Sequence, residues 1–373
     1  MDFNNIFDTI LSFFSALGSQ IAAYFSSLDA ANILSILQYN PRNPLLFSSG
    51  AFLFIFLAFM LGYWGFRKQL STRLLFVTLF SYYFFYKSSG IYFLLLVIIT
   101  ISDFYIARRI AQSEKKKTWL VLSLFIDLGM LAYFKYTNFF AGMVSQMIGN
   151  NFQPWDIFLP VGISFYTFKT ISYTVDVYRD KMKPLESLLD YAFYVSFFPT
   201  LLAGPITRAN DFVPQIRKPL HLSNEMFAQG VFLIVIGLLK KAVISDYLSA
   251  NFVDRIFDNP SLFSGGEVLL GLYGYCFQIY CDFSGYSDIA IGIAMLLGFT
   301  IPQNFNAPLQ ADSMTDFWRR WHISLSTWIR DYVYIALGGN RYGKWRMYLN
   351  QMIAMTACGL WHGASLNFIV WGV

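Results

Sequence analysis

Charge is what this chain lacks most. Only 13% of its 373 residues are Asp, Glu, Lys or Arg, about half the share of an ordinary soluble domain. That scarcity excludes a water-soluble fold of normal composition. Histidine and cysteine are also scarce, three of each; without a C-x-x-C pair or a Cys/His cluster, no protein-bound metal is expected. Cys276, Cys281 and Cys358 all sit in apolar surroundings and are expected to be small buried side chains. H-E-x-x-H, G-x-S-x-G, Walker A and G-x-G-x-x-G patterns are missing as well, which sets those chemistries aside. The net charge of +5 is scattered between apolar runs and builds no basic domain, so no nucleic-acid partner is expected.

What is abundant is apolar surface: 56% hydrophobic residues, and 20% aromatic with 40 Phe. Successive apolar runs approach the roughly 20 residues that cross a bilayer. The composition therefore predicts an all-α polytopic membrane protein. Span candidates are Ser49–Phe66, Leu74–Tyr86, Ile91–Ala107, Trp119–Phe134, Phe158–Val175, Phe227–Leu239, Val268–Tyr280 and Ile289–Phe299, with a last run from Met352 to Val373. The stretch Ile6–Phe25 is interrupted by Asp8 and Gln20 and lacks a basic leader, so it reads as an interfacial or first membrane helix, not a signal peptide. No repeat or linker divides the chain. The expected organisation is an N-terminal helix in residues 1–48 and one membrane domain over 49–373. The closing LNFIVWGV stops in mid-run, which suggests that a C-terminal portion is missing.

Basic loops orient the spans. Arg67, Lys68 and Arg73, then Arg108, Arg109 and Lys115–Lys117, are two spans apart, so both can face the cytoplasm as the positive-inside bias favours. A cell membrane location with many passes fits this pattern. Leu188–Gly204 breaks the count, because a full crossing places Arg208, Arg217 and Lys218 outside. With Pro199, Gly204 and Pro205 in it, the segment reads as re-entrant or broken, its AGPITR turn lining an internal cavity. The alternative is a Pro-kinked span with a basic outer loop.

Four places carry possible chemistry. In FWRRWHISLSTWIRDYVYIALGG, residues 317–339, a continuous helix puts Trp318, Trp321, Leu325, Trp328 and Tyr332 on one apolar face. Arg319, Ser326 and Arg330 then form a second stripe about 40 to 80 degrees round from His322, with Arg320 and Asp331 adding further charge. Either this helix rides the membrane surface, or its Arg and His face binds an anionic donor or a reacting acyl group. In GLWHGASLNF, His362 follows ten uncharged residues. An ionisable ring in such a run favours a reaction site, and a neutral imidazole can take a proton from an alcohol. Gly359 and Gly363 allow close approach of backbone or substrate. In QIYCDFSGYSDIAIG, residues 278–292, Asp282, Ser284 and Asp288 form either a polar turn between spans or a cavity lining. His221 reads as a solvated loop residue.

Together, DFWRRWHISLSTWIRDYVYIALGG, GLWHG, YCDFSGYSDIAIG and AGPITR resemble the membrane-bound O-acyltransferase (MBOAT) family, specifically its bacterial alginate O-acetyltransferase branch, and also the D-alanyl transfer protein of teichoic acids. The resemblance covers about Ser49 to Val373 and implies about nine to eleven membrane or re-entrant helices around a funnel or channel with a histidine deep inside. It assigns His362 as the general base and His322 as a second essential residue. It further implies acetyl transfer from a cytoplasmic thioester, acetyl-CoA or another acyl thioester as co-substrate with no bound cofactor, to hydroxyls of an exported polysaccharide or to an extracytoplasmic SGNH-like acetyltransferase partner. A protein or lipid O-acyltransferase is the alternative within the class. A glycan or lipid transporter or flippase is the rival outside it, although repeated halves and paired intramembrane charges are not seen.

Overall fold

The computed structural model describes residues 37–373. The expected helix at Ile6–Phe25 lies outside the described residues. Leu37–Pro44 belongs to a first compact unit, and Leu45–Val373 forms a second. After Leu37 the first is described by bends and turns, with the Arg42 amide donating to Asn40 Oδ1 at 3.0 Å.

Among the described residues there are helices and no strands. Helices α1 (Gly50–Gly65), α2 (Leu70–Ser89), α3 (Phe93–Gln112), α4 (Lys116–Met147) and α5 (Ile163–Tyr178) follow the predicted apolar runs. The segments Leu70–Gln112, Lys116–Met147 and Asn224–Asp258 are each long and apolar enough to cross a membrane. Leu70–Gln112 is two helices joined by the tight turn Gly90–Tyr92, so it folds back on itself. Lipid-facing surface remains apolar, as at Leu61 and Phe125, 79% and 74% exposed, which a bilayer tolerates and water does not.

The segment that broke the topology count does not cross. Its helix α6 (Leu188–Ser196) has 9 residues, about 14 Å of rise against roughly 30 Å of hydrocarbon, and a 3₁₀ turn at Phe198–Thr200 ends it. Asp190, at its start, binds Arg217, beyond α7 (Ala209–Ile216), at 2.6 Å. The chain has therefore gone in and come back. Its freed backbone groups find partners: Phe198 N–H donates to Ser81 Oγ at 3.2 Å, and Val195 C=O accepts from Lys169 Nζ at 3.3 Å. Phe198 fills the space between α1 and α2, its ring 5.5 Å from Phe59 and 5.0 Å from Phe80. The AGPITR turn is packed rather than cavity-lining, since Ile206 N–H is taken by Ser324 Oγ at 3.0 Å.

Two predicted spans and the polar turn between them are one unbroken 32-residue helix, α9 (Gly265–Leu296). It packs on α8 (Asn224–Leu238), which continues through wide π turns at Leu239–Ser245 and Ser249–Val253. Gly230 and Gly237 on one helix face Gly292 and Gly285 on the other. A Cβ on Gly237 would stand 2.5 Å from Gly285 O. Small residues thus bring the backbones together, and charges close the seam: Lys240 binds Asp288 at 2.7 Å, and Lys241 binds Asp282 at 2.6 Å. Those partners let the helix keep its acidic residues without breaking. The seam lies on one flank only. On the other, Cys276 is exposed, whereas Cys281 and Cys358 are buried as expected.

Candidate functional site

The predicted continuous helix over residues 317–339 is broken at its histidine. α10 (Met314–Arg320) ends, Trp321 is extended, His322 adopts φ 42° and ψ 55°, and α11 (Ile323–Ile329) begins. A left-handed backbone at a non-glycine residue costs on the order of 1–3 kcal/mol and persists only where its surroundings impose it. Asn304 imposes it here. Its C=O takes the Ile323 N–H at 2.9 Å, its Oδ1 takes the Ser324 hydroxyl at 2.6 Å, and its Nδ2 donates to Ser287 Oγ on α9 at 3.1 Å.

The break dissolves the single stripe expected of Arg319, Ser326 and Arg330. Arg319 is exposed on α10, and Arg320 is paired with Asp316 at 2.7 Å. Ser326 and Arg330 do come together, lining a cavity of about 400 Å³ with Trp318, Gln351 and Cys358, although Arg330 also binds Asp331 at 2.7 Å. After α11 the chain widens into a π turn, Arg330–Tyr334. Its Asp331 is bound by Arg208 of the AGPITR turn, and Tyr332 hydroxyl donates to Asp176 on α5 at 2.7 Å. These pieces are too short to span a bilayer. Burial raises the Asp331 carboxyl, but Arg330 and Arg208 outweigh it and hold it below the ordinary carboxylate range.

His322 is buried, 2% exposed, with Phe283 edge-on at 4.6 Å and its Nε2 without a hydrogen-bond partner among the described residues. His362 ends α12 (Gly343–His362). The chain then turns at Gly363 into α13 (Leu366–Gly372), with no room for a Cβ at Gly359, Gly363 or Gly372. The glycines flanking the histidine therefore serve this helical hairpin. His322 is thus a deep histidine, whereas His362 lines an open cavity of about 370 Å³ with Lys135, Pro160, Ser164 and Trp361. Trp361 is the common neighbour, its ring 5.8 Å from His322 and 4.9 Å from His362. Phe168 holds that indole in place, stacked on it at 5.6 Å and on Trp328 at 3.9 Å.

Of the third cluster, Asp288 lines a cavity of about 440 Å³ with Ser287 and Asn304, beside the turn that carries His322. Asp282 is held by Lys241, and Ser284 is buried with its hydroxyl unpartnered among the described residues. Sequence reasoning missed Lys135 and Tyr136, which cap the carbonyls at the end of α12: Tyr136 hydroxyl donates to Leu360 O at 2.7 Å, and Lys135 Nζ to Trp361 O. A lone lysine inside the apolar run of α4 was the available signal. It also missed Asn304, which carries no motif.

Two histidines thus gather around one tryptophan, His362 on a cavity and His322 buried. The family model described as MBOAT, membrane-bound O-acyltransferase family, matches residues 32–373, and the chain belongs to that family. A probable alginate O-acetylase of Pseudomonas aeruginosa is 42% identical over 338 residues, 88% of this chain and 64% of that protein. A peptidoglycan O-acetyltransferase of Helicobacter pylori is 36% identical over 376 residues, 92% of this chain and 71% of that protein. A teichoic acid D-alanyltransferase of Bacillus subtilis is 31% identical over 234 residues, covering 59% and 58%. The chain spans 64% to 66% of the length of the first two alginate O-acetylase relatives.

Proposed function

We propose that the protein transfers an acyl group, acetyl in the first instance, from a cytoplasmic thioester to hydroxyls of an exported polysaccharide, directly or through an extracytoplasmic partner transferase. The observation that carries this reading is the His322–Trp361–His362 grouping in a member of a family of O-acyltransferases. The relatives named for alginate, peptidoglycan and teichoic acid favour a cell-surface polymer as acceptor, and a bacterial cell membrane as the location.

In this reading an acceptor hydroxyl enters the cavity at His362 and hands its proton to the imidazole as the oxygen adds to the thioester carbonyl, an effect worth about 10²–10⁴-fold. The tetrahedral adduct collapses to the ester. The leaving thiolate recovers the proton from the imidazolium. His322, buried with a free ring nitrogen, is the second group; Asn304 holds its backbone and Phe283 its ring. Trp361 separates the two imidazoles and fixes their spacing. Ser326 and Arg330 face the neighbouring cavity and can contact the donor, with Asp288, Ser284 and Asp282 on the α9 side.

The test is to supply membranes containing the full-length protein with labelled acetyl-CoA and to recover the exported polymer. The reading predicts label that hydroxylamine releases, as an O-ester requires. Label in lipid or protein alone would move the acceptor to those classes, and no label with any thioester donor would refute acyl transfer.

A further inference from the structure

Arg73, in the first turn of α2, is 3% exposed, and its guanidinium Nε is buried with no hydrogen-bond partner among the described residues. A buried cation without a partner is costly and calls for a compensating anion. Among the described residues no carboxylate side chain lines the space around it. Arg73 instead borders two adjoining cavities, of about 500 and 240 Å³.

The first is walled by cations from two loops far apart in sequence: Arg67, Lys68 and Arg73 before and within α2, and Arg217 and Lys218 after α7. Arg217 is already engaged by Asp190, so the unsatisfied charge rests on the other four. Loop lysines and arginines ordinarily spread into water. Here they converge on a concavity and place one arginine at its floor. The second cavity shares Arg73, Lys218 and Leu220 with the first and extends to Thr300. Thr300 also borders the 440 Å³ cavity that holds Asn304 and Ser287. A row of hollows thus runs from the basic pocket to the turn carrying His322.

We infer that Arg73 anchors a phosphate-binding site, with Arg67, Lys68 and Lys218 at its rim, at the end of the bundle where the basic loops gather. Guanidinium forks suit phosphate oxygens, and several cations around one hollow suit a diphosphate or a cluster of phosphate monoesters. Such groups come from two sources, a phosphorylated thioester carrier or the headgroup of an anionic phospholipid. The site stands without the acyl-transfer reading; only its service as donor site rests on that reading.

The experiment uses the full-length protein in detergent and in nanodiscs containing phosphatidylglycerol, with coenzyme A, inorganic pyrophosphate and retained phosphatidylglycerol as probes. Wild type is expected to bind one or more of them, with affinity falling as salt rises. Arg73→Gln should weaken that binding at least about tenfold, Lys218→Gln less, and Arg73→Lys least. If the ligand is the thioester carrier, Arg73→Gln loses coenzyme A affinity and raises the donor KM with kcat near wild type. If it is a headgroup, native mass spectrometry shows loss of retained lipid while coenzyme A affinity is unchanged. Wild-type affinity of a monodisperse Arg73→Gln protein for all three probes would overturn the proposal. Should that variant not fold, Arg67→Gln with Lys218→Gln takes its place, and unchanged affinities there overturn it equally. Binding without any acyl transfer in wild type would leave the phosphate site standing and remove the enzymatic reading alone.

Discussion

Ser324 Oγ donates to Asn304 Oδ1 at 2.6 Å, and this bond locks the turn on which His322 stands. The same Ser324 oxygen accepts from the Ile206 amide, and Asn304 reaches across to Ser287. One buried amide therefore ties together the AGPITR turn, the histidine turn and α9. Replacing its side chain loosens the turn, leaving only the Asn304 C=O on the Ile323 N–H to hold it, and removes no catalytic group.

Asn304→Ala is expected to lower kcat by about tenfold or more with little change in KM, because a misplacement of about 1 Å costs up to about 10²-fold. An independent readout is carbethoxylation of histidine read by peptide mass spectrometry. His322, protected in wild type, should become reactive, while exposed His221 serves as the internal reference and stays as it was. Asn304→Asp keeps an acceptor for Ser324 and, with Ser287 turning to donate, should restore most of the protection.

At the seam of α8 and α9, Gly237→Ala introduces a Cβ only 2.5 Å from Gly285 O. The helices must part, at a cost of roughly 1–3 kcal/mol typical of overpacking. A lowered thermal midpoint in detergent should follow. Gly50→Ala, where an added Cβ meets nothing within 4 Å, should leave the midpoint nearly unchanged.

Asp331 links the AGPITR turn to the π turn through Arg208 and its neighbour Arg330. Its carboxyl is held below the ordinary value, so its contribution to stability is present in full above the unfolded carboxylate pKa and is lost as pH falls through the lowered one. Asp331→Asn should cost on the order of 1–3 kcal/mol near neutral pH, as expected for hydrogen bonds to a charged group, and the difference from wild type should shrink under acid. Melting temperatures of both proteins across that range check it.

The first five helices were legible because apolar runs of the right length report burial in lipid directly. The re-entrant segment was legible too, since Pro199 and Gly204 interrupt it and the basic residues after it contradicted a crossing. The unbroken α9 was not. Asp282 and Asp288 read as either a polar turn or a cavity lining; Lys240 and Lys241 supply them partners from 48 and 41 residues earlier, and no local pattern reports a partner so remote.

The histidine turn failed for a related reason. Local periodicity in residues 317–339 describes a good amphipathic helix, but Asn304, outside that window, captures the Ile323 amide and breaks it. Both histidines were picked out by their apolar context, but their different surroundings were not. His322 is enclosed by Phe283 and Trp361, whereas His362 stands at the open end of a helical hairpin. Arg73 looked like an ordinary topogenic cation, because burial without a partner is a property of the assembled fold alone.

The proposed removal of the acceptor's proton by His362 is tested most directly by labelled-acyl transfer with His362→Ala and His322→Ala in the full-length protein, normalised to folded protein in the membrane. A loss of about 10²–10⁴-fold is expected for His362→Ala, with the donor still bound. Transfer by His362→Ala at the wild-type rate would contradict it.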